Sequence, residues 1–169
     1  MKLSRRSVFI ILTIILTIAT DQITKLLVRA YVTPSERSEI IGRYFTLHNV
    51  ENTGAFLGMG SDLSPFLKLI LLLILPVIVL GYVTIHIFKD KSLDKLSVFA
   101  FASIIGGGIA NVFDRVAYGS VTDFFHIDLG GVFRTGIFNM ADLSVTTGMI
   151  ILLLVSFKKK KQPEPSNPN

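Results

Sequence analysis

The segment FNMADLSVTTGMIILLLVSFKKKK, residues 138–161, shows the pattern that decides the fold of this chain. Its apolar run is close to the ~20 residues that a helix needs to cross a bilayer, and it ends in four consecutive lysines. Asn139 and Asp142 stand at the other end of the run. A charged carboxylate costs at least about 2.5–3.5 kcal/mol at the centre of a membrane-spanning helix. The sequence therefore predicts that polar partners, a function, or both compensate for Asp142 at the membrane edge.

The composition of the whole chain is that of a membrane protein. Of its 169 residues, 50% are hydrophobic and 17% are charged, and the mean hydropathy is +0.60. Four apolar stretches have the length of a membrane-spanning helix: residues 7–28, 66–88, 96–116 and 138–157. We predict one membrane domain over residues 1–157, followed by a basic, proline-rich cytoplasmic tail, residues 158–169, that is disordered.

The basic residues predict the orientation of the spans. Ten of the 17 Lys and Arg residues lie at the N-terminus, between the second and third spans, or directly after the fourth. The positive-inside rule places both termini and the loop 89–95 in the cytoplasm, and the loops 29–65 and 117–137 outside. Topology accounts for this charge, so nucleic acid is not an expected partner. The absence of cysteine excludes a thiol nucleophile, a cysteine-ligated zinc and disulfides.

Both outward loops contain segments with the composition of β-strands. EIIGRYFTLHNVENTGAFLGMG (39–60) and SVTDFFHIDL (120–129) are rich in β-branched and aromatic residues, and Gly or Asn punctuates them. We expect them to form a small sheet on the outer membrane surface. The predicted fold class is therefore an all-α polytopic membrane protein with four transmembrane helices and a small extracytoplasmic β-sheet cradle.

Polar residues from three different spans are predicted to lie at one depth in the membrane. Asp21, Asn111 and Asp142 are each 15 or 16 residues from the nearest cytoplasmic cation at the end of their span. At about 1.5 Å per helical residue they reach about 22–24 Å into a hydrocarbon core of about 30 Å. This coincidence predicts a polar site just below the outer face.

Further polar residues share helix faces with these three or follow them closely: Lys25, Arg115, Asp123 and Asn139. Lys25 can pair with Asp21 or extend outward. Asp123 can fold back toward Asp142, and two such carboxyls share one proton because both cannot ionise cheaply. The ionised member can activate water while the protonated member polarises a carbonyl and assists the leaving amine.

Other interpretations of these residues stay open at this point. A proton-coupled transporter could use Asp21 and Asp142, although the cytoplasmic halves of three spans are almost wholly apolar. A catalytically silent assembly factor would tolerate loss of both aspartates. Asp114 beside Arg115 is equally a surface ion pair, and the glycines 106–108 indicate a close helix contact.

Metal and serine chemistry have no matching pattern in the sequence. No H-E-x-x-H and no G-x-S-x-G is present. Asp123 and His126 would point to opposite faces of a strand, which is unsuited to shared metal binding. We therefore expect neither a metal nor a cofactor.

Four segments combine the polar residues above with characteristic neighbours: DQITK (21–25), NTGAF (52–56), GGGIANVFDRVAYGSVTDF (106–124) and FNMAD (138–142). In order and spacing they resemble the signature blocks of the lipoprotein signal peptidases, the type II signal peptidases. The resemblance implies an aspartic endopeptidase of the bacterial inner membrane that cleaves signal peptides before the diacylglyceryl-modified cysteine of prolipoproteins. It implies that Asp123 and Asp142 are the catalytic dyad. Other matching positions would support the dyad or position substrate, together with Lys25: Asp21, Asn52, Gly54, Asn111, Arg115 and Asn139.

The resemblance also implies partners and a location. Diacylglyceryl-prolipoproteins and membrane lipids would be the partners, and globomycin-type peptide inhibitors would occupy the site. The active site would lie near the extracytoplasmic face, covered by the loop 29–65. The chain departs from the family pattern in three places, none of them in the dyad: Phe56 directly after Ala55, Ala110 in place of Gly, and Leu143 in place of a small polar residue.

Overall fold

The structure is a computed structural model that describes residues 3–34, 36–55 and 58–160. Within these residues, four helices are long and apolar enough to cross a membrane: α1 (Arg5–Tyr31), α2 (Pro65–Lys89), α3 (Lys95–Tyr118) and α4 (Met140–Lys160). Each coincides with a predicted span to within a few residues. Residues 158–160 of the predicted tail continue α4 as helix, and the rest of that tail lies outside the described residues.

Side-chain caps explain why two helices begin before their apolar runs. The Ser4 hydroxyl accepts a hydrogen bond from the backbone N–H of Ser7 at 3.1 Å, at the start of α1. The Asp94 carboxylate accepts from the N–H of Ser97 at 2.8 Å, at the start of α3. These caps satisfy N–H groups that have no partner within the helix.

Helix α3 lies at the centre of the bundle, and its three consecutive glycines face three different helices. A Cβ atom on Gly106 would lie 2.7 Å from a side-chain atom of α1, and one on Gly108 would lie 2.6 Å from a side-chain atom of α2. A Cβ atom on Gly107 would lie 2.5 Å from the carbonyl oxygen of Ala141 in α4. The glycines therefore let the helices approach closely, as predicted, and bring the next turn of α3 near the start of α4.

Three antiparallel strands form one sheet in the order β1 (Ser38–Ile41), β2 (Phe45–Asn52) and β3 (Val121–Ile127). Strand β3 follows α3 through Gly119, whose φ of +77° ends the helix in a left-handed conformation that glycine adopts readily. Pairing of β2 with β3 places Asn52 opposite Val121, two residues before Asp123. The four transmembrane helices and the small sheet confirm the predicted fold class.

Helix α2 contains an irregularity that its sequence explains. Residues Leu69–Ile74 form a π-helical turn, in which the backbone N–H of Leu75 donates to the carbonyl of Ile70. Pro76 has no N–H to donate, and in an α-helix its ring would clash with the carbonyl four residues earlier. One extra residue in the turn relieves that clash. Of the two residues in this span that disfavour a helix, Pro76 follows the irregular turn and Gly81 lies in regular helix.

Candidate active site

Asp123 lies in β3, and two asparagine amides bind its carboxyl group. Its side chain is only 3% exposed. The Asn52 Nδ2 donates to Oδ2 at 2.9 Å, and the Asn139 Nδ2 donates to Oδ1 at 2.6 Å. Strand β2 and the residue before α4 therefore hold this carboxyl from two sides.

Asp142 lies in the first turn of α4 and shares Asn139 with Asp123. The Asn111 Nδ2 donates to Asp142 Oδ1 at 2.9 Å, and the backbone N–H of Asn139 points at Oδ2 from 3.4 Å. In return, Asn139 Oδ1 accepts from the backbone N–H of Asp142 at 2.9 Å. One residue, Asn139, thus bonds to both aspartates.

Lys25 lies behind the two carboxyl groups and is fully buried. Its Nζ lies 2.7 Å from Asp21 Oδ2 and 2.7 Å from Asp114 Oδ2, and it donates to Asn111 Oδ1 at 2.8 Å. The Asn111 oxygen therefore faces Lys25, which turns its amide nitrogen toward Asp142. Of the two predictions made for Lys25, pairing with Asp21 is confirmed.

The interpretation of Asp114 as part of a surface ion pair is wrong. Asp114 is fully buried, because three residues of α1 surround it. Besides the Lys25 contact, Gln22 Nε2 donates to Asp114 Oδ1 at 2.9 Å and Arg29 Nη2 lies 3.5 Å from Oδ2. Spacing contained a hint of this arrangement, since Asp114 follows Asn111 by three residues and shares its helix face. Gln22 was also missed, although it stands within the DQITK segment.

Asp21 and Arg115 connect the site to backbone groups. Asp21 Oδ1 accepts from the N–H of Ala141 at 2.8 Å and so caps the start of α4 from a different helix. Arg115 Nη2 donates to the carbonyl of Gly54 at 2.8 Å. A Cβ atom on Gly54 would lie 2.6 Å from the carbonyl oxygen of Met59, so this turn has room only for glycine.

Three cavities meet at the two aspartates. The α2–α4 cavity, about 400 Å³, lies between those helices, with mostly apolar walls and a polar floor: Ala55, Leu71, Leu72, Pro76, Asn111, Arg115, Asp142, Val145, Thr146 and Met149. The hairpin cavity, about 360 Å³, reaches Asp142 beside residues 127–138. The third cavity, about 280 Å³, reaches Asp123 and includes the polar residues Asn52, Thr53 and Ser61. Asp142 therefore lines the two more apolar cavities, and Asp123 lines the one with the larger share of polar surface.

Burial is the main reason why the pKa of Asp123 is raised from 3.8 to about 7. The amide of Asn52 opposes this shift, and the nearby Asp142 carboxylate adds to it. Between those two values the folded protein holds the proton more tightly than the unfolded chain does. The contribution of this bound proton to the unfolding free energy is therefore fully present below pH 3.8. It is lost as the pH rises from 3.8 through about 7.

We expect the unfolding free energy of the wild type to fall, relative to that of Asp123→Asn, by up to about 4 kcal/mol between about pH 4 and pH 8. Unfolding by SDS in mild detergent, followed at both pH values, measures the difference. The same substitution at Asp128, whose side chain is 32% exposed, is the matched control. A difference between wild type and Asp123→Asn that does not change with pH would contradict the prediction.

The fold and the site define a multi-pass membrane protein with two carboxyl groups, one buried and one half-buried, at one end of its helices. Residues 13–158 match the model of the protein family described as Signal peptidase (SPase) II. The lipoprotein signal peptidase of Treponema pallidum (strain Nichols) is 33% identical over 159 residues, which cover 91% of this chain and 85% of that protein. That of Borrelia duttonii (strain Ly) is 37% identical over 147 residues, which cover 83% and 85%. The chain belongs to the signal peptidase II family, a family of proteases.

Two solved structures share the fold of this chain. A bacterial membrane enzyme determined at 2.3 Å superposes with a TM-score of 0.82 and 25% sequence identity, covering 95% of this chain and 94% of the other. A second bacterial membrane enzyme, determined at 1.9 Å, gives a TM-score of 0.76 and 27% identity over 89% and 93% of the chains. The similarity therefore includes the sheet and the loops as well as the four helices.

Proposed function

We propose that the protein is an aspartic endopeptidase that removes signal peptides from diacylglyceryl-modified prolipoproteins by cleaving before the lipidated cysteine. One observation carries the proposal: the single residue Asn139 bonds to both Asp123 and Asp142. In this proposal the shared residue keeps the two carboxyl groups close enough to share one proton. The names of the relatives, lipoprotein signal peptidases, support the choice of substrate.

In this proposal the two aspartates act on one water molecule and one peptide bond. The ionised carboxylate takes a proton from water, whose oxygen forms a bond to the carbonyl carbon. The protonated carboxyl polarises the carbonyl oxygen. Collapse of the tetrahedral intermediate breaks the C–N bond, and the amine leaves with a proton from the dyad. The reaction needs neither metal nor cofactor.

Asn111, Asn139 and Asn52 position the dyad through the bonds described above, with Lys25 and Asp21 behind them. Arg115 and Gly54 form a rim that positions the substrate backbone. The same contacts would be available to a globomycin-type peptide inhibitor, which we expect to compete for the site. These roles complete the assignment of the polar residues selected from the sequence.

The site would lie near the extracytoplasmic face of the inner membrane, with both termini in the cytoplasm. The positive-inside distribution of Lys and Arg supports this orientation. The opposite half of the bundle has an apolar core: Ile10, Ile87, Val98, Ala102 and Ile105. A proton-coupled transporter would need polar groups along the whole path, so this core favours a protease over a carrier.

Purified protein tests the proposal directly. In detergent, we expect it to release the signal peptide from a diacylglyceryl-modified prolipoprotein, with EDTA present, and to leave the unmodified precursor uncut. A mobility shift on a gel reports cleavage. Failure of a folded wild-type protein to cut the modified precursor would remove the proposed activity, and cleavage that EDTA abolishes would remove the metal-free mechanism.

A further inference from the structure

Two of the three cavities at the aspartates open between elements that lie within or against the membrane. The α2–α4 cavity and the hairpin cavity both include Asp142 in their lining. A substrate that stays anchored in the bilayer by its acyl chains can reach Asp142 through either opening. The two openings differ in how firmly their walls are held.

The α2 wall of the α2–α4 cavity is weakly held. Of the residues of α2, all of them described, only Ile87 at the far end of the helix is buried. The π-helical turn Leu69–Ile74 contributes Leu71 and Leu72 to the cavity, and Pro76, two residues past its end, also lines it. Pro76 and the π turn weaken the hydrogen-bond ladder where helices commonly bend. Few buried contacts therefore hold the outer part of α2 in place.

The wall of the hairpin cavity is fixed by backbone hydrogen bonds. Phe125 and Phe138 exchange two such bonds, at 2.8 and 2.9 Å. Farther along, the N–H of Thr135 donates to the carbonyl of Ile127 at 2.9 Å, and that of Leu129 donates to Phe133 at 2.8 Å. Opening this wall would break several of these backbone hydrogen bonds at once. None of the four bonds involves a residue of α2.

We infer that the gap between α2 and α4 is the entrance through which the lipidated peptide reaches Asp142, and that the π turn of α2 is its hinge. The inference rests on the proposed function and adds the route to it. The lining suits such a molecule: leucines of α2 and Met149 of α4 offer an apolar surface to acyl chains. Asn111 and Arg115 on the floor offer hydrogen bonds to peptide groups.

The chain has no cysteine, so a cross-link across the gap can be introduced without interference. We would combine Leu72→Cys and Met149→Cys with Asp123→Asn, which prevents turnover, and join the two thiols with a reducible bis-methanethiosulfonate linker. The probe is a fluorescent diacylglyceryl-modified prolipoprotein peptide in detergent. Linking before the peptide is added should slow its association about tenfold or more, and linking afterwards should slow its dissociation to a similar degree. A reductant should reverse both effects.

A second pair across the hairpin cavity, Phe133→Cys with Leu143→Cys, is the matched control, because neither residue lines the α2–α4 cavity, and it should not trap the peptide. Rates unchanged by the α2–α4 link would overturn the inference. So would slower association without trapping, because a linker that merely fills the site gives that result. Trapping by the hairpin pair alone would assign the entrance to the other opening. If the unlinked protein does not bind the lipidated peptide at all, the proposed function itself fails.

Discussion

Asp123→Asn and Asp142→Asn are each expected to cut the lipidated prolipoprotein about 10⁴-fold more slowly than the wild type. An amide has nearly the shape of a carboxyl group, but it neither takes a proton from water nor gives one to a leaving amine at neutral pH. Single-turnover cleavage followed by mobility shift measures the loss. Both variants should elute from a sizing column like the wild type, which separates loss of chemistry from loss of folding.

Asp128→Asn is the matched control for this loss. Asp128 follows the same strand as Asp123, and its Oδ1 accepts from the N–H of Gly131 at 2.8 Å, a bond that an asparagine oxygen can keep. We expect near-wild-type cleavage from it. Because the dyad acts as a unit, the double variant should be no slower than the slower single variant. Cleavage within about tenfold of wild type in either single variant would exclude that aspartate from the chemistry.

Counting residues along the spans predicted much of the candidate site. Asp21, Asn111 and Asp142 were placed at one depth because each helix rises by a fixed amount per residue. In the structure Asn111 bonds to Asp142, and Asp21 bonds to the backbone one residue before it. Depth is a property of one helix at a time, so a single sequence is enough to obtain it.

The rotation of each helix about its axis and the pairing of the strands could not be predicted by counting residues. Burial of Asp114 depends on which face of α3 turns toward α1, and that is decided by packing along the whole helix pair. The bond from Asn52 to Asp123 joins residues 71 positions apart and requires β2 to pair with β3. Only the resemblance to known signature blocks selected Asn52 and Gly54. Pro76 disfavours a regular helix in α2, but proline alone does not distinguish a kink from a π turn.

Burial of Asp114 makes Lys25 the residue whose loss should cost the most stability. Lys25→Met would leave Asp21 and Asp114 fully buried without the ammonium that lies 2.7 Å from each. Removing one partner of a buried ion pair costs about 3–5 kcal/mol, because an uncompensated charge remains. The Asn111 amide would also lose the donor that fixes its orientation toward Asp142, so cleavage should fall as well. SDS unfolding in mild detergent at neutral pH measures the loss of stability.

Two further variants separate buried charge from loss of a long side chain. Lys91→Met removes an exposed lysine and should change the unfolding free energy by less than about 0.5 kcal/mol. Adding Asp21→Asn to Lys25→Met should recover part of the loss, because Asp114 keeps Arg29 as a partner and an asparagine oxygen can still cap Ala141. If instead Asp21→Asn lowers the unfolding free energy of the Lys25→Met variant by as much as it lowers that of the wild type, Asp21 and Lys25 are not coupled through charge. The cluster would then stabilise the start of α4 by packing alone.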